Sequence, residues 1–113
     1  TFIVAHHNPM QASMDEKKKG SCLQDSDALF DLLASYPKVQ GFIYGHTHTW
    51  LKSKHEKTGL PLINLPPIAY TFDPKSPSGW VIVRIDADRA EFELRALNPA
   101  HEQHGQKHVI KFV

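Results

Sequence analysis

The chain has 113 residues, with 13 Lys and Arg against 12 Asp and Glu, a formal charge of +1 and 41% hydrophobic residues. That length supports one domain and leaves little room for two independent cores. A near-balanced charge whose longest basic run is Lys17-Lys18-Lys19 gives no field that would make nucleic acid a principal partner.

Phe2-Ile3-Val4-Ala5 is a continuous apolar run and reads as a strand buried on both faces, as in a parallel sheet. Pro9 ends it, and Met10 to Gln24 reads as a long polar loop. Asp25, Ser26 and Asp27 suit a helix start, and Ala28, Leu29, Leu32, Leu33 and Tyr36 follow at helical spacing, which predicts a helix from Ser26 to Tyr36 stopped by Pro37. Val39 to Tyr44 reads as the next strand and completes a βαβ unit. From His46 to His55 residue types alternate with a period of two, the pattern of a half-exposed strand. Lys57-Thr58-Gly59 then turns the chain into Leu60 to Leu65, forming a hairpin. After a Pro-rich and Ser-rich loop, Trp80 to Asp86 and Ala90 to Leu97 predict a second hairpin, and Val109 to Val113 an edge strand. The expected class is α/β: one βαβ unit followed by antiparallel hairpins in a mixed sheet. No apolar run approaches the roughly 18–20 residues that span a bilayer, and no membrane partner is expected. The single cysteine, Cys22, cannot form an internal disulfide, so the compartment stays open.

The eight histidines carry the chemistry. His6 and His7 follow the first strand, His46 and His48 the second, and the carboxyl ends of parallel strands are where ligands gather. An i, i+2 pair on an extended backbone puts both imidazoles on one face, and Gly45 lets the chain turn sharply beside them. Neutral imidazole is the commonest metal ligand, so converging histidines suit an ion such as Zn, Mn or Fe. No Cys pair and no acidic residue adjoins these histidines to close a structural site, which favours a site left open for water.

Val4-Ala5-His6-His7-Asn8-Pro9, followed 40 residues on from His6 by Phe42-Ile43-Tyr44-Gly45-His46-Thr47-His48, resembles the last two motifs of the calcineurin-like metallophosphoesterases. Leu60-Pro61-Leu62-Ile63-Asn64 and Gly79 to Asp86 are similar to that family's closing hairpins, so the resemblance covers nearly the whole chain. The family's earlier motifs, Asp-x-His, Gly-Asp-x-x-Asp and Gly-Asn-His, are absent. With a strand-like run directly after Thr1, residues 1–113 are expected to be the C-terminal half of a four-layer α/β/β/α metallophosphoesterase sandwich. The resemblance implies a hydrolase of phosphomonoesters or phosphodiesters with a binuclear centre of Mn, Fe or Zn, in which a metal-bound hydroxide attacks phosphorus. His6, His46 and His48 would be ligands in this half. Either His6 or His7 can be aligned to Pro9; His6, nearer the strand, is favoured, and His7 is left to contact substrate or orient a ligand. Asn8 is a candidate substrate contact. The expected partners are a phosphate ester and the missing N-terminal half, without which the fragment would be inactive and, with an open sheet edge, prone to self-association.

The alternatives are a non-catalytic module that holds a metal through the same histidines, and an interaction domain in which they are incidental. Lys17 to Lys19 read as a solvated run beside a weaker phosphate-attracting role. His101, His104 and His108 read as a polar tail, Trp50 and Trp80 as packing residues, and Cys22 as a possible reactive thiol.

Overall fold

The computed structural model describes residues 1–113. The first strand, β1 (Phe2–Val4), is short and lies at a sheet edge with Val4 71% exposed, where the sequence suggested burial on both faces. An apolar run alone does not separate a central strand from an edge. Within the expected loop sits a single helical turn, α1 (Glu16–Lys19). Asp15 accepts the Lys17 amide at 3.0 Å and Glu16 pairs with Lys19 at 2.7 Å, and none of its residues is buried. Four residues are too few to display a helical period. Cys22, read as a reactive thiol in a polar loop, is buried, with its Sγ 3.3 Å from the Lys18 carbonyl.

The main helix, α2 (Ser26–Ala34), carries Asp27 in its first turn, where a negative charge favours the helix N-terminus, and buries Ser26, Phe30 and Leu33. It ends before Tyr36. Val39, expected to open the next strand, donates instead to the Tyr36 carbonyl at 2.9 Å, so β2 is Gly41–Tyr44. β3 (Leu51–Lys54) and β4 (Pro61–Asn64) form the expected hairpin, though β3 begins five residues later than the alternation suggested. β5 (Gly79–Ile85), β6 (Arg89–Ala96) and β7 (Lys107–Lys111) complete the chain.

Two sheets result. The first has the order β1-β2-β4-β3: β1 and β2 are parallel, β2 and β4 are parallel with Tyr44 opposite Asn64, and β3 returns antiparallel. The second is antiparallel, β5-β6-β7. Phe30 and Leu33 of α2 pack with Phe42, Tyr44 and Leu62 on one face of the mixed sheet. Between the sheets lie Trp50, Ile63, Ala90, Phe92, Leu94 and Ile110. The order of layers is helix, mixed sheet, antiparallel sheet. Phe30, Phe42 and Phe92 have no exposed surface, and truncating any one to Ala would cost about 3–5 kcal/mol.

Trp50 is a packing residue whose indole N–H donates to Gln106 Oε1 at 2.8 Å. Trp80, expected to pack as well, is half exposed: its register opposite Arg95 puts it on the outer face of the second sheet. The tail histidines are dispersed. His101 contacts the Lys75 carbonyl, His104 accepts from the Ala96 amide, and His108 stacks on Trp50 with ring centroids 4.3 Å apart.

Candidate metal centre

Because β1 and β2 are parallel neighbours, their carboxyl ends share one edge. The ladder runs on past both strands: Ala5 donates to the Ile43 carbonyl at 2.9 Å, and Gly45 to the His6 carbonyl at 3.1 Å. Those two bonds fix the backbone at His6 against the backbone at Gly45 and bring three imidazoles together. The ring nitrogens of His6, His7 and His46 lie within 4.8 Å of one another, and the His7 and His46 ring centroids are 4.6 Å apart. His6 and His7 are exposed and His46 is half-buried. Burial, with help from the neighbouring imidazoles of His7, His6 and His48, holds the His46 pKa below its ordinary value. Its ring therefore keeps a free lone pair near neutral pH, as a metal ligand must.

The turn carrying His46 and His48 is not extended. Both have positive φ, 66° and 53°, while Gly45 does not, which reverses the expected division of labour between glycine and histidine. A non-glycine residue in that region carries a cost of roughly 1–2 kcal/mol, so something must hold it. Thr47 donates its amide to the Gly45 carbonyl at 2.7 Å, Thr49 Oγ1 donates to the Thr47 carbonyl at 3.1 Å, and the Asn64 side-chain amide donates to Thr47 Oγ1. Asn64 is 4% exposed at the end of β4. Asn64 carries no motif of its own, and only the β2–β4 pairing that puts it opposite Tyr44 reveals its role.

His48 is not in the three-histidine cluster. Its ring lies flat on Phe72, with centroids 4.2 Å apart and planes 6° from parallel, and meets Tyr70 edge-on at 4.9 Å. It shares with His6 and His46 one wall of an open pocket of about 520 Å³, whose other wall is the segment Leu65 to Ala69. Asn8 is buried, and its amide donates to Cys22 Sγ at 3.2 Å and to the Pro9 carbonyl at 3.5 Å. With the Leu23 amide donating to the Asn8 carbonyl at 2.9 Å, this residue ties the end of β1 to the segment that leads into α2. Lys17 to Lys19 lie on α1, where no residue is buried.

The donor set fits a divalent transition metal. Three nitrogen donors converge without a carboxylate among them, and His48 Nδ1 is buried with no hydrogen-bond partner.

No protein-family model matches the chain, and no solved structure matches it. Among curated proteins it is 31% identical over 81 residues to a probable cyclic nucleotide phosphodiesterase of Ruthia magnifica subsp. Calyptogena magnifica, covering 70% of this chain and 32% of that protein. It is 29% identical over 79 residues to the 3',5'-cyclic adenosine monophosphate phosphodiesterase CpdA of Vibrio vulnificus, covering 67% of this chain and 27% of that protein. It is also 29% identical over 76 residues to the 3',5'-cyclic-nucleotide phosphodiesterase alr5338 of Nostoc sp., covering 67% and 27%. The chain thus spans about a third or less of the length of the curated relatives it matches.

Proposed function

We propose that these 113 residues supply the histidine half of a two-metal phosphodiesterase centre of the calcineurin-like type, acting on a cyclic or linear nucleotide ester. The observation that carries this reading is the convergence of His6, His7 and His46 at the shared end of two parallel strands. The partial similarity to cyclic nucleotide phosphodiesterases supports it. His6 and His46 would hold one ion. His48, on the same pocket wall, would face a second. Divalent ions bound there would supply an activated water at neutral pH and neutralise charge on the phosphoryl oxygens.

The chain's own residues do the rest. His7, exposed beside His6 and His46, is placed to donate a hydrogen bond to an ester oxygen or to orient a neighbouring ligand. Asn64 and Thr47 hold the His-Thr-His turn, so both imidazoles are set before a ligand arrives. Asn8 keeps the His6-His7 step anchored to the segment before α2. A bridging carboxylate is absent from the cluster, and in this proposal it comes from outside the 113 residues. The unpaired edges of β1 and β5 are where a further part of a four-layer sandwich would join.

The test pairs calorimetric titration of Mn or Zn into the chain with hydrolysis of bis(p-nitrophenyl) phosphate by a polypeptide extended to the relatives' length with its own flanking sequence. We expect weak single-site metal binding by the chain, lost in His46→Ala, with negligible hydrolysis. In the extended polypeptide, His46→Ala and His48→Ala should each reduce turnover by orders of magnitude. Unchanged turnover in both variants, or vigorous hydrolysis by the 113 residues alone, would refute the proposal.

A further inference from the structure

Two of the most exposed aromatic side chains in the molecule stand beside the histidine pocket. Tyr70 is 62% exposed and Phe72 66%. Large rings ordinarily bury themselves, and their exposure is informative when it adjoins a polar site. Here the adjacency is direct. Pro66 and Pro67 stop β4 from continuing, so the chain runs along the carboxyl edge of the mixed sheet and forms the pocket wall facing His6, His46 and His48. Tyr70 and Phe72 come next. Their ring centroids are 5.8 Å apart with planes at 72°, which makes an L-shaped pair. His48 covers part of Phe72, and two-thirds of that residue still lies open to solvent.

We propose that Tyr70 and Phe72 form a stacking shelf for the planar base of a nucleotide whose phosphate is held at the histidines. The proposal rests on the phosphodiesterase reading above and deepens it by naming the residues that select a nucleotide over a simpler phosphate ester. In a nucleotide one sugar ring separates base from phosphate. On this wall one imidazole, His48, separates the shelf from the pocket where the phosphate would sit. Stacking on an aromatic side chain tolerates any base, since every base has a π face. The shelf therefore selects for the presence of a base and leaves its identity open. It offers a base no hydrogen-bonding side chain of its own apart from the Tyr70 hydroxyl.

A competing occupant is another protein segment that buries these rings as ordinary core. The two differ in what the rings do to ligand affinity. In the 113-residue chain with Mn present, binding of AMP, ribose 5-phosphate and adenosine is followed by calorimetry and by the proton shifts of the base. AMP should bind about tenfold more tightly than ribose 5-phosphate, the magnitude of one base–aromatic stack. Tyr70→Ala and Phe72→Ala should each remove most of that advantage, Tyr70→Ala with ribose 5-phosphate binding unchanged, while Tyr70→Phe and Phe72→Tyr retain it. Circular dichroism confirms that each variant is folded. Adenosine isolates the shelf from the phosphate site. Upfield base shifts with adenosine that vanish in Phe72→Ala uphold the shelf even if neither phosphate binds, an outcome that would sink the phosphodiesterase reading alone. Binding of both AMP and ribose 5-phosphate with equal affinity by the wild-type chain, or no ring-dependent response to adenosine, overturns the shelf.

Discussion

Asn64 shows how much of the site depends on a residue that binds nothing itself. Its amide holds Thr47 between two histidines at positive φ, and its Oδ1 is buried without a partner. Removing a group that orients a metal ligand typically weakens metal affinity 10–100-fold. Asn64→Ala should therefore weaken Mn or Zn binding by about tenfold, and a calorimetric titration indistinguishable from wild type would remove Asn64 from this role. His55 acts on stability instead. It is 3% exposed, lies nearly parallel to Phe30 with centroids 4.0 Å apart, and contacts Thr58 Oγ1 at 3.0 Å. Burial holds its pKa below the ordinary value, against the weaker opposite pull of Asp27, Glu56 and Asp31. The folded protein thus binds fewer protons than the unfolded chain. This contribution to stability is fully present above about pH 6.5 and is lost as pH falls below it. His108, also held low by burial, adds to the same trend. The melting temperature should drop from pH 7.5 to pH 5, and His55→Phe, which keeps the stack and removes the titration, should flatten that slope. An identical slope in wild type and variant would exclude His55 as a contributor.

At the level of elements, the sequence read well wherever a segment was long enough to show a period. The helix over Ser26 to Ala34, the β3–β4 hairpin and the β5–β6 hairpin were all legible from spacing. Where it misled, a tertiary contact had overridden a local pattern. The alternation from His46 to His55 suits a strand, yet its first five residues form a turn held by Asn64, which is distant in sequence and adjacent only through β2–β4 pairing. Convergence of His6, His7 and His46 was foreseeable, since parallel strands bring their ends to one edge. The separation of His48 was not, because it depends on Phe72. Gly79 gives the clearest test of such hidden close approaches. It opens β5 opposite Ala96, and a Cβ there would lie 2.2 Å from the Arg95 carbonyl oxygen and 2.8 Å from Ala96 Cα, both backbone atoms. Gly79→Ala should destabilise the chain by about 1–3 kcal/mol or more in urea unfolding, as overpacking does. Gly20→Ala, with nothing within 4 Å and a right-handed backbone, should be within about 0.5 kcal/mol of wild type. Equal stability of the two variants would contradict the packing at the start of β5.

Considered as a whole molecule, the second sheet has two unlike surroundings. Its outer face carries Arg84, Arg95 and Lys107 paired with Glu93 and Glu91 at 2.6–3.0 Å, a charged surface suited to water. Its inner face is covered by the mixed sheet around Phe92 and opens toward the free β5 edge, where Val83 is 43% and Ile85 62% exposed. Across the gap Val4, on the free edge strand β1, is equally bare, and a cleft of about 350 Å³ lies between the sheets. Two unpaired edges flanking an apolar cleft invite β-pairing with another chain. The 113-residue chain should therefore self-associate, with sedimentation velocity giving a concentration-dependent rise above the monomer. Ile85→Lys places a charge at the inner edge where the side chain is already largely exposed. It should shift the distribution toward monomer at little cost in stability. Ile82→Lys, whose register opposite Glu93 puts it on the charged outer face, should leave association unchanged. A wild-type chain that stays monomeric at millimolar concentration, or equal effects of the two lysines, would mean that the open edge does not drive association.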